Sequence, residues 1–189
     1  MAPRFPIDEA PDPAARQVME ESLATMHGGA PPFQWIEEDG KSLLGPYAPL
    51  CYSPIITRQF WPLAKSCYNP TAVKPRNREL AILGLSSVLD VPYIVYCHRG
   101  VAEHVGLTTQ QYEDGLAGKV PGGLSEEEAM AYRLGQILTK LTGPLDDATW
   151  QEVTSKMDKA EVVGVLHIVA GYRWVALLVS VNGEDRRGA

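Results

Sequence analysis

Hydrophobic positions from Pro75 onward recur at the spacing of an α-helix. Leu80 and Leu83 lie near one stripe of the segment RNRELAILGLSSVL, and Pro75 suits the first turn of a helix there. Pro92 ends or interrupts this helix, and a second helix is predicted over about residues 93–105. The pattern therefore predicts two consecutive helices that can form an antiparallel hairpin.

Helix start signals continue through the C-terminal half of the chain. Three pairs have the spacing of a capping box, in which an N-cap residue and the residue three positions later satisfy each other's backbone N–H groups. They are Thr108 with Gln111, Ser125 with Glu128, and Asp158 with Glu161. A further helix is predicted around residues 147–157. No segment alternates for long enough to build a sheet, so the predicted fold class is all-α.

The first 32 residues contain six prolines around one segment, AARQVMEESLATM, that favours a short helix. We interpret residues 1–32 as a proline-rich N-terminal arm. Residues 33–184 are predicted to form a helical domain that begins with short helices joined by turns. Residues 185–189 are interpreted as a C-terminal tail.

The segment from Val162 to Val181 is mostly apolar and as long as a membrane span. His167 and Arg173 lie inside it, and an arginine at the middle of a span costs about 2.5–3.5 kcal/mol on insertion scales. The alternative is a buried helix. A helix that is apolar nearly all round in a domain of this size is expected to contact other subunits as well. We therefore predict no membrane association and a homo-oligomer.

The composition is that of a folded chain, since 45% of the residues are hydrophobic and 21% are charged. The formal net charge of −6 offers no positive field to a polyanion, so no nucleic acid partner is expected. Three cysteines without a CxxC pair indicate neither a disulfide framework nor a zinc site, and no His and carboxylate cluster has metal-ligand spacing. The N-terminus lacks a signal-peptide pattern, which predicts a cytoplasmic location.

Polar residues that could carry chemistry lie on the two consecutive helices. Glu79 is expected in the first turn of one helix, and His98 lies midway along the next. If the helices form a hairpin, the two side chains can meet as a coupled acid/base pair in a partly buried cleft. The alternatives are a histidine that only ties two helices together, and a glutamate that only favours a helix N-terminus.

The remaining candidates are less specific. Cys97 is either a small buried side chain or a nucleophile with a lowered pKa. His167 is either a partner in an intersubunit hydrogen bond or a ligand-binding residue. Arginines match carboxylates bidentately, and tyrosine hydroxyls can hold an oxyanion or a carboxylate. The candidate substrate-binding residues are Tyr93, Tyr96, Arg99, Arg76, His167 and Arg173.

Three segments resemble the carboxymuconolactone decarboxylase and alkylhydroperoxidase D superfamily. LLGPYAPLCYSPIITRQFWPLAK is similar to its first segment, RNRELAIL to its R-x-R-E-L-A-I-L motif, and YCHRGVAEHVGLTTQQYEDG to its H-x-x-x-A-x-x-x-G-L segment. The similarity spans about residues 43–184, because the order of the later helices also fits. It implies the alkylhydroperoxidase D-like helical fold, trimers or hexamers, active sites near subunit contacts and no organic cofactor.

The resemblance also implies roles for single residues. Glu79 matches the glutamate of the family's proton relay, and His98 matches its histidine. The alkylhydroperoxidase branch needs a C-x-x-C pair where this chain has Val91 and Ile94, so that disulfide chemistry is expected to be lost. The decarboxylase branch has Y-E-W where this chain has residues 93–95 as Tyr-Ile-Val, which implies a less polar pocket and a larger, more apolar substrate.

The sequence thus predicts a cofactor-independent lyase or isomerase of aromatic or secondary metabolism. Its substrate would be a small carboxylated or enolisable cyclic compound, with Glu79 and His98 as the acid/base pair. Two alternatives remain open at this point. One is a non-catalytic oligomeric binding protein, and the other is a thiol-dependent antioxidant of peroxidase type that acts through Cys97.

Overall fold

The computed structural model describes residues 4–38 and 40–183, and within them the chain is helical. These residues contain no strand, only an isolated bridge between Ile36 and Leu43. A single turn of 3-10 helix, Ile7–Glu9, precedes the first α-helix. The all-α prediction is therefore confirmed. The α-helices are α1 (Ala15–His27), α2 (Tyr47–Cys51), α3 (Pro54–Cys67), α4 (Pro75–Ser86), α5 (Pro92–His104), α6 (Thr109–Leu116), α7 (Glu126–Lys140), α8 (Asp147–Thr154) and α9 (Lys159–Asn182).

Two of the three predicted capping boxes are complete. The Gln111 backbone N–H donates to Thr108 Oγ1 at 3.1 Å, and the Thr108 N–H donates to Gln111 Oε1 at 3.0 Å. The same exchange joins Ser125 and Glu128 at 2.9 and 3.2 Å. These local contacts start α6 and α7 at the residues that the sequence predicts.

The third box differs in a way that matters for packing. The Glu161 backbone N–H donates to Asp158 Oδ1 at 2.8 Å, as predicted. The Glu161 carboxylate, however, accepts hydrogen bonds from the Lys74 backbone N–H at 3.0 Å and from Asn77 Nδ2 at 2.8 Å. Glu161 therefore connects the start of α9 to the start of α4. The Lys74 N–H precedes the first turn of α4, where no carbonyl of the helix itself can accept it. The Asn77 amide is buried, so both groups need the acceptor that Glu161 provides.

Contacts divide the chain into two compact units, and one of them, unit 2, comprises Ser66–Asp90 and His98–Trp174. Helix α4 forms its core, because every residue from Asn77 to Leu85 is buried. It packs against α6 and α7. Gly84 and Gly135 permit a close approach: a Cβ at Gly84 would lie 2.2 Å from the Tyr132 carbonyl oxygen, and one at Gly135 would lie 2.3 Å from that of Ala81.

Unit 1 contains the described parts of Met1–Lys65, together with Val91–Cys97 and the described part of Val175–Ala189. Helix α1 packs against α2, and its Met19 and Leu23 are fully buried. The segment predicted as an arm over residues 1–32 thus contributes apolar side chains to a core. The predicted domain boundary at residue 33 stays a prediction. The predicted tail, residues 185–189, lies outside the described residues.

Helix α9 is long and apolar enough to cross a membrane by length and composition alone. A single helix of this kind is a weak indication, since the core helix of a soluble protein passes the same test. The helix carries His167 and Arg173 within its apolar length. Four of its large apolar side chains are exposed: Val163, Leu166, Leu177 and Val181.

Candidate active site

Glu79 lies deeper in its helix than the sequence predicts. Helix α4 begins at Pro75 and has no acidic residue in its first turn, so the expectation that Glu79 lies in that turn is wrong. The field of a helix terminus falls off within the first turn. The alternative explanation of Glu79, a favourable charge at a helix N-terminus, therefore loses its basis.

Glu79 and His98 are in direct contact within unit 2. His98 Nδ1 lies 2.7 Å from Glu79 Oε2, a hydrogen-bond distance typical of a charged partner. The Glu79 side chain is 1% exposed, and His98 is 8% exposed. An approach of the two side chains was the feature expected from a pair of consecutive helices, and the structure brings them together.

Arg78 completes the contacts of the carboxylate. Its Nε–H donates to Glu79 Oε1 at 2.8 Å, and the arginine side chain is itself buried. Each carboxylate oxygen thus accepts one hydrogen bond, from the guanidinium on one side and from the imidazole on the other. A buried carboxylate without such partners would be costly by several kcal/mol.

These partners decide the charge of Glu79. Burial alone would raise the pKa of this carboxyl, but the His98 contact and the Arg78 contact outweigh it and hold the pKa of Glu79 below its usual range. Glu79 is therefore a carboxylate at neutral pH. An ionised carboxylate only accepts hydrogen bonds, so His98 Nδ1 must carry the proton that lies between them.

The position of that proton fixes the chemistry of the ring. With Nδ1–H held by Glu79, neutral His98 has its lone pair on Nε2. Within residues 4–38 and 40–183, His98 makes its hydrogen bond through Nδ1, and Nε2 makes none. Such an arrangement orients one histidine nitrogen with a carboxylate and leaves the lone pair of the other nitrogen for proton exchange.

Two tyrosines complete the surroundings of this cluster. The Tyr172 ring meets the His98 ring edge-on, with centroids 4.9 Å apart, and the Tyr172 hydroxyl is hydrogen-bonded to that of Tyr68. The Arg78 guanidinium lies over the Tyr68 ring, 4.3 Å from its centroid, and donates to the Tyr68 carbonyl oxygen at 3.4 Å. Arg78, Glu79, His98, Tyr172 and Tyr68 thus form a closed ring of contacts, which we call the Glu79 cluster.

The sequence does not predict three members of the Glu79 cluster. Arg78 precedes Glu79 directly, and adjacent helical positions point about 100° apart, so spacing gives no reason to pair them. Tyr68 and Tyr172 are separated by 104 positions in the chain. Only the tertiary structure brings them together, although Arg78 does lie within the segment RNRELAIL.

The predicted arginine anchors are engaged elsewhere in unit 2. Arg76 Nε donates to Glu128 Oε1 at 2.5 Å, and its terminal nitrogen donates to the Val105 carbonyl oxygen at 3.2 Å. The Arg99 guanidinium pairs with Glu113 at 2.7 Å. Arg173 donates to the Leu138 carbonyl oxygen at 3.3 Å. These contacts tie helices together, and none of them involves Glu79 or His98.

The other candidates of α9 and of unit 1 have separate surroundings. His167 is exposed on α9. In unit 1 the Tyr93 hydroxyl donates to the Gln34 carbonyl oxygen at 2.8 Å, and the Tyr96 hydroxyl accepts from the Gln34 N–H at 3.1 Å. Both hydroxyls therefore hold the segment before α2. Cys97 also belongs to unit 1 and is partly buried.

The other two thiols are not activated. Burial raises the pKa of Cys51 to about 11, and burial also raises the pKa of Cys67 above its usual value. A thiol that remains protonated at neutral pH is a poor nucleophile. None of the three cysteines forms a disulfide within the described residues.

A groove of about 430 Å³ lies in unit 1 between α1 and α3, in the size range of small-molecule sites. Its walls include Met26, Arg58, Trp61 and Lys65. The Trp61 Nε1–H is buried without a hydrogen-bond partner. None of the predicted site residues lines this groove, so the predicted chemistry does not belong to it.

Residues 4–38 and 40–183 contain no group of three or more His, Cys, Asp or Glu side chains that could hold a metal ion. Comparison of the chain with protein-family models, with curated proteins and with solved structures gives no match. The family resemblance of the segments quoted above therefore stays a prediction, and the candidate site is argued from the Glu79 cluster alone.

Proposed function

We propose that the chain is a cofactor-independent lyase or isomerase that moves a proton on a small carboxylated or enolisable cyclic compound. The observation that carries this proposal is the buried 2.7 Å contact between His98 Nδ1 and Glu79 Oε2. A histidine oriented by a carboxylate is the usual arrangement for general acid/base catalysis. Membership of the carboxymuconolactone decarboxylase and alkylhydroperoxidase D superfamily, with a homo-oligomeric assembly in the cytoplasm, is part of the same proposal.

His98 Nε2 exchanges the proton with the substrate in this proposal, and Glu79 stabilises the imidazolium that forms. Either reaction type needs this exchange. A proton shift removes a hydrogen next to a carbonyl and returns it to another carbon. A decarboxylation releases CO2, leaves an enolate and then needs one proton at carbon. The low exposure of Glu79 and His98 supports the proposal, because electrostatic interactions are stronger where water is excluded.

The test compares four proteins with a panel of cyclic keto acids and lactones in deuterated water, monitored by mass spectrometry. Wild type is expected to incorporate deuterium at carbon or to release CO2. Glu79→Gln and His98→Gln are each expected to lower the rate about 100-fold or more, the usual contribution of a positioned acid/base group. His104→Gln, on the same helix but exposed, is the matched control and should retain the wild-type rate.

Several outcomes contradict this function. If His98→Gln converts substrate as fast as wild type, Glu79 and His98 have only a structural role. The alternative of a non-catalytic binding protein is then favoured. A fifth protein, Cys97→Ser, tests the thiol-dependent alternative. That alternative is correct if this variant loses activity and the wild-type protein consumes peroxide. Circular dichroism and thermal unfolding of each variant show whether a loss of rate reflects a loss of folding.

A further inference from the structure

Arg78 is the one full positive charge in direct contact with the Glu79 carboxylate within the part of the chain that the structure describes. Its Nε lies 2.8 Å from Oε1, while His98 Nδ1 lies 2.7 Å from Oε2. Arginine remains protonated at any physiological pH. The carboxylate therefore has a permanent cation on one side and a titratable ring on the other.

Arg78 changes the net charge of the buried cluster. Arg78 and ionised Glu79 together have no net charge, so neutral His98 leaves the buried cluster neutral as a whole. A second proton on His98 would give the cluster a net charge of +1 in surroundings that solvate a charge poorly. Without Arg78, the same proton would neutralise the site instead, because Glu79 and imidazolium cancel.

Arg78 cannot turn away from the carboxylate without losing other contacts. Its guanidinium lies 4.3 Å from the centroid of the Tyr68 ring and donates to the Tyr68 carbonyl oxygen at 3.4 Å. Stacking of this kind on an aromatic face stabilises a desolvated cation. Tyr68 is in turn held by the hydrogen bond between its hydroxyl and that of Tyr172.

Titratable and charged groups approach His98 from three parts of the fold. Helix α4 contributes Arg78 and Glu79, helix α9 contributes Tyr172, and the segment between α3 and α4 contributes Tyr68. Neither tyrosine adds a formal charge at neutral pH. Nearer the start of α4, Lys74 Nζ pairs with the Glu127 carboxylate. The Glu161 carboxylate accepts hydrogen bonds from the Lys74 backbone N–H and from the Asn77 amide, neither of which carries a formal charge.

We propose that Arg78 is a positioning residue that keeps resting His98 neutral, so that Nε2 enters the reaction as a base. This role rests on the proposed acid/base function and narrows its substrate class to enolisable carbonyl compounds. His98 Nε2 takes a proton from the carbon next to the carbonyl. The C–H bond breaks, its electron pair forms a C=C bond, and the carbonyl electrons move to oxygen as an enolate. The proton then returns from Nε2 to a different carbon, and no electrons are gained or lost.

The first experiment needs no substrate and measures the wild-type protein itself. Nitrogen-15 NMR of wild type at pH 7 reports the protonation of each histidine nitrogen. The chain has four histidines, and the resonances missing from His98→Gln identify those of His98. We expect a protonated Nδ1 and an unprotonated Nε2. Two protonated nitrogens at pH 7 would overturn the role of Arg78.

The second experiment removes the charge and then restores it. In Arg78→Met, the nitrogen-15 signal of His98 Nε2 at pH 7 should move toward that of a protonated nitrogen, because the variant removes a positive charge that disfavours a second positive charge on the ring. Arg78→Lys keeps the positive charge and should give a spectrum close to that of wild type. A folded Arg78→Met with an unchanged Nε2 signal would overturn the inference.

The two proposals can fail separately. If the nitrogen-15 spectra of wild type, Arg78→Met and Arg78→Lys are as expected but no substrate is turned over, the arginine has its role and the enzyme function is wrong. If wild type releases CO2 from keto acids but never exchanges carbon-bound hydrogen, the function stands and the base-first role of Arg78 is overturned. Hydrogen exchange lost in His98→Gln and slowed in Arg78→Met supports both.

Discussion

The Glu79 carboxylate lies almost wholly out of water and depends on its two partners for its charge. One oxygen accepts from Arg78 and the other from His98. Removing a single partner from a buried ion pair typically costs about 3–5 kcal/mol, since the remaining charge is left unpaired. The residues that would carry the chemistry are thus also among those on which folding of unit 2 depends. Variants at this site need a folding measurement beside every rate.

Acid is expected to destabilise the protein through Glu79. Its pKa is lower in the folded chain than in the unfolded chain, so the stabilisation is complete above the ordinary glutamate value of about 4.3. It is lost as the pH falls through the folded value, with a slope of up to about 1.36 kcal/mol per pH unit for one proton. Urea unfolding between pH 7 and pH 3 measures this slope.

The control for this slope is a glutamate on the surface. Glu79→Gln should unfold with a shallower dependence on acid than wild type, whereas Glu113→Gln should keep the wild-type dependence. Glu113 forms an exposed ion pair with Arg99, which contributes little to stability. Equal slopes for wild type and Glu79→Gln would mean that the carboxyl is not held in its ionised form.

At the scale of the elements, α4 and α7 approach closely because Gly84 of α4 and Gly135 of α7 each face the backbone of the other helix. Replacing Gly84 or Gly135 by alanine would place a methyl group within about 2.3 Å of a carbonyl oxygen, so the helices must move apart. Overpacking of this kind costs about 1–3 kcal/mol, and we expect Gly84→Ala and Gly135→Ala each to reach the upper end. Chemical denaturation measures the loss.

Gly100 is the matched control, because it lies within α5 and a Cβ there meets nothing within 4 Å. Gly100→Ala should raise the free energy of unfolding by about 1 kcal/mol, the difference in helix propensity between the two residues. A Gly84→Ala protein as stable as wild type would show that α4 and α7 are not in close contact. Loss of stability in Gly100→Ala would show that this face of α5 is covered.

The start of a helix could be predicted from the sequence where hydrogen bonds between nearby residues determine it. The capping boxes at Thr108 and Ser125 start α6 and α7 as predicted, because their hydrogen bonds join residues three positions apart. Helix α4 was expected to bury one stripe through Leu80 and Leu83, but it is buried on all sides. Its polar residues are buried by partners from other helices, such as Glu161 for Asn77, and those partners leave no periodic pattern in α4 itself.

The candidate site, too, could be predicted only in part from the sequence. A contact between Glu79 and His98 could be anticipated because they lie on consecutive helices. The tyrosine pair could not, since Tyr68 and Tyr172 meet only through the tertiary fold. Arg99 and Arg76 were candidates for substrate binding on charge alone, and charge does not reveal that Glu113 and Glu128 lie within reach. Residue type can be read from the sequence, but the partner of a long side chain is set by packing.

At the scale of the whole molecule, the last helix presents apolar side chains to the outside. Val163, Leu166, Leu177 and Val181 are exposed, and their spacing along α9 places them on one face, since 3.6 residues make a turn. A row of exposed apolar side chains on one helix is typical of an interaction surface. The predicted oligomer stays a prediction, and this row of side chains is the surface on which we test it.

We expect wild type to form a trimer or hexamer in solution, measured by size-exclusion chromatography with light scattering. Leu166→Lys combined with Leu177→Lys should release monomers, because burying each leucine is worth about 1.5–3 kcal/mol and a lysine there would be desolvated. Val120→Lys is the control, since Val120 is an exposed apolar residue outside α9 and should leave the assembly intact. A monomeric wild type would contradict the prediction. An oligomer that persists in the double variant would place the interface on another surface, because the α9 face is then dispensable for assembly.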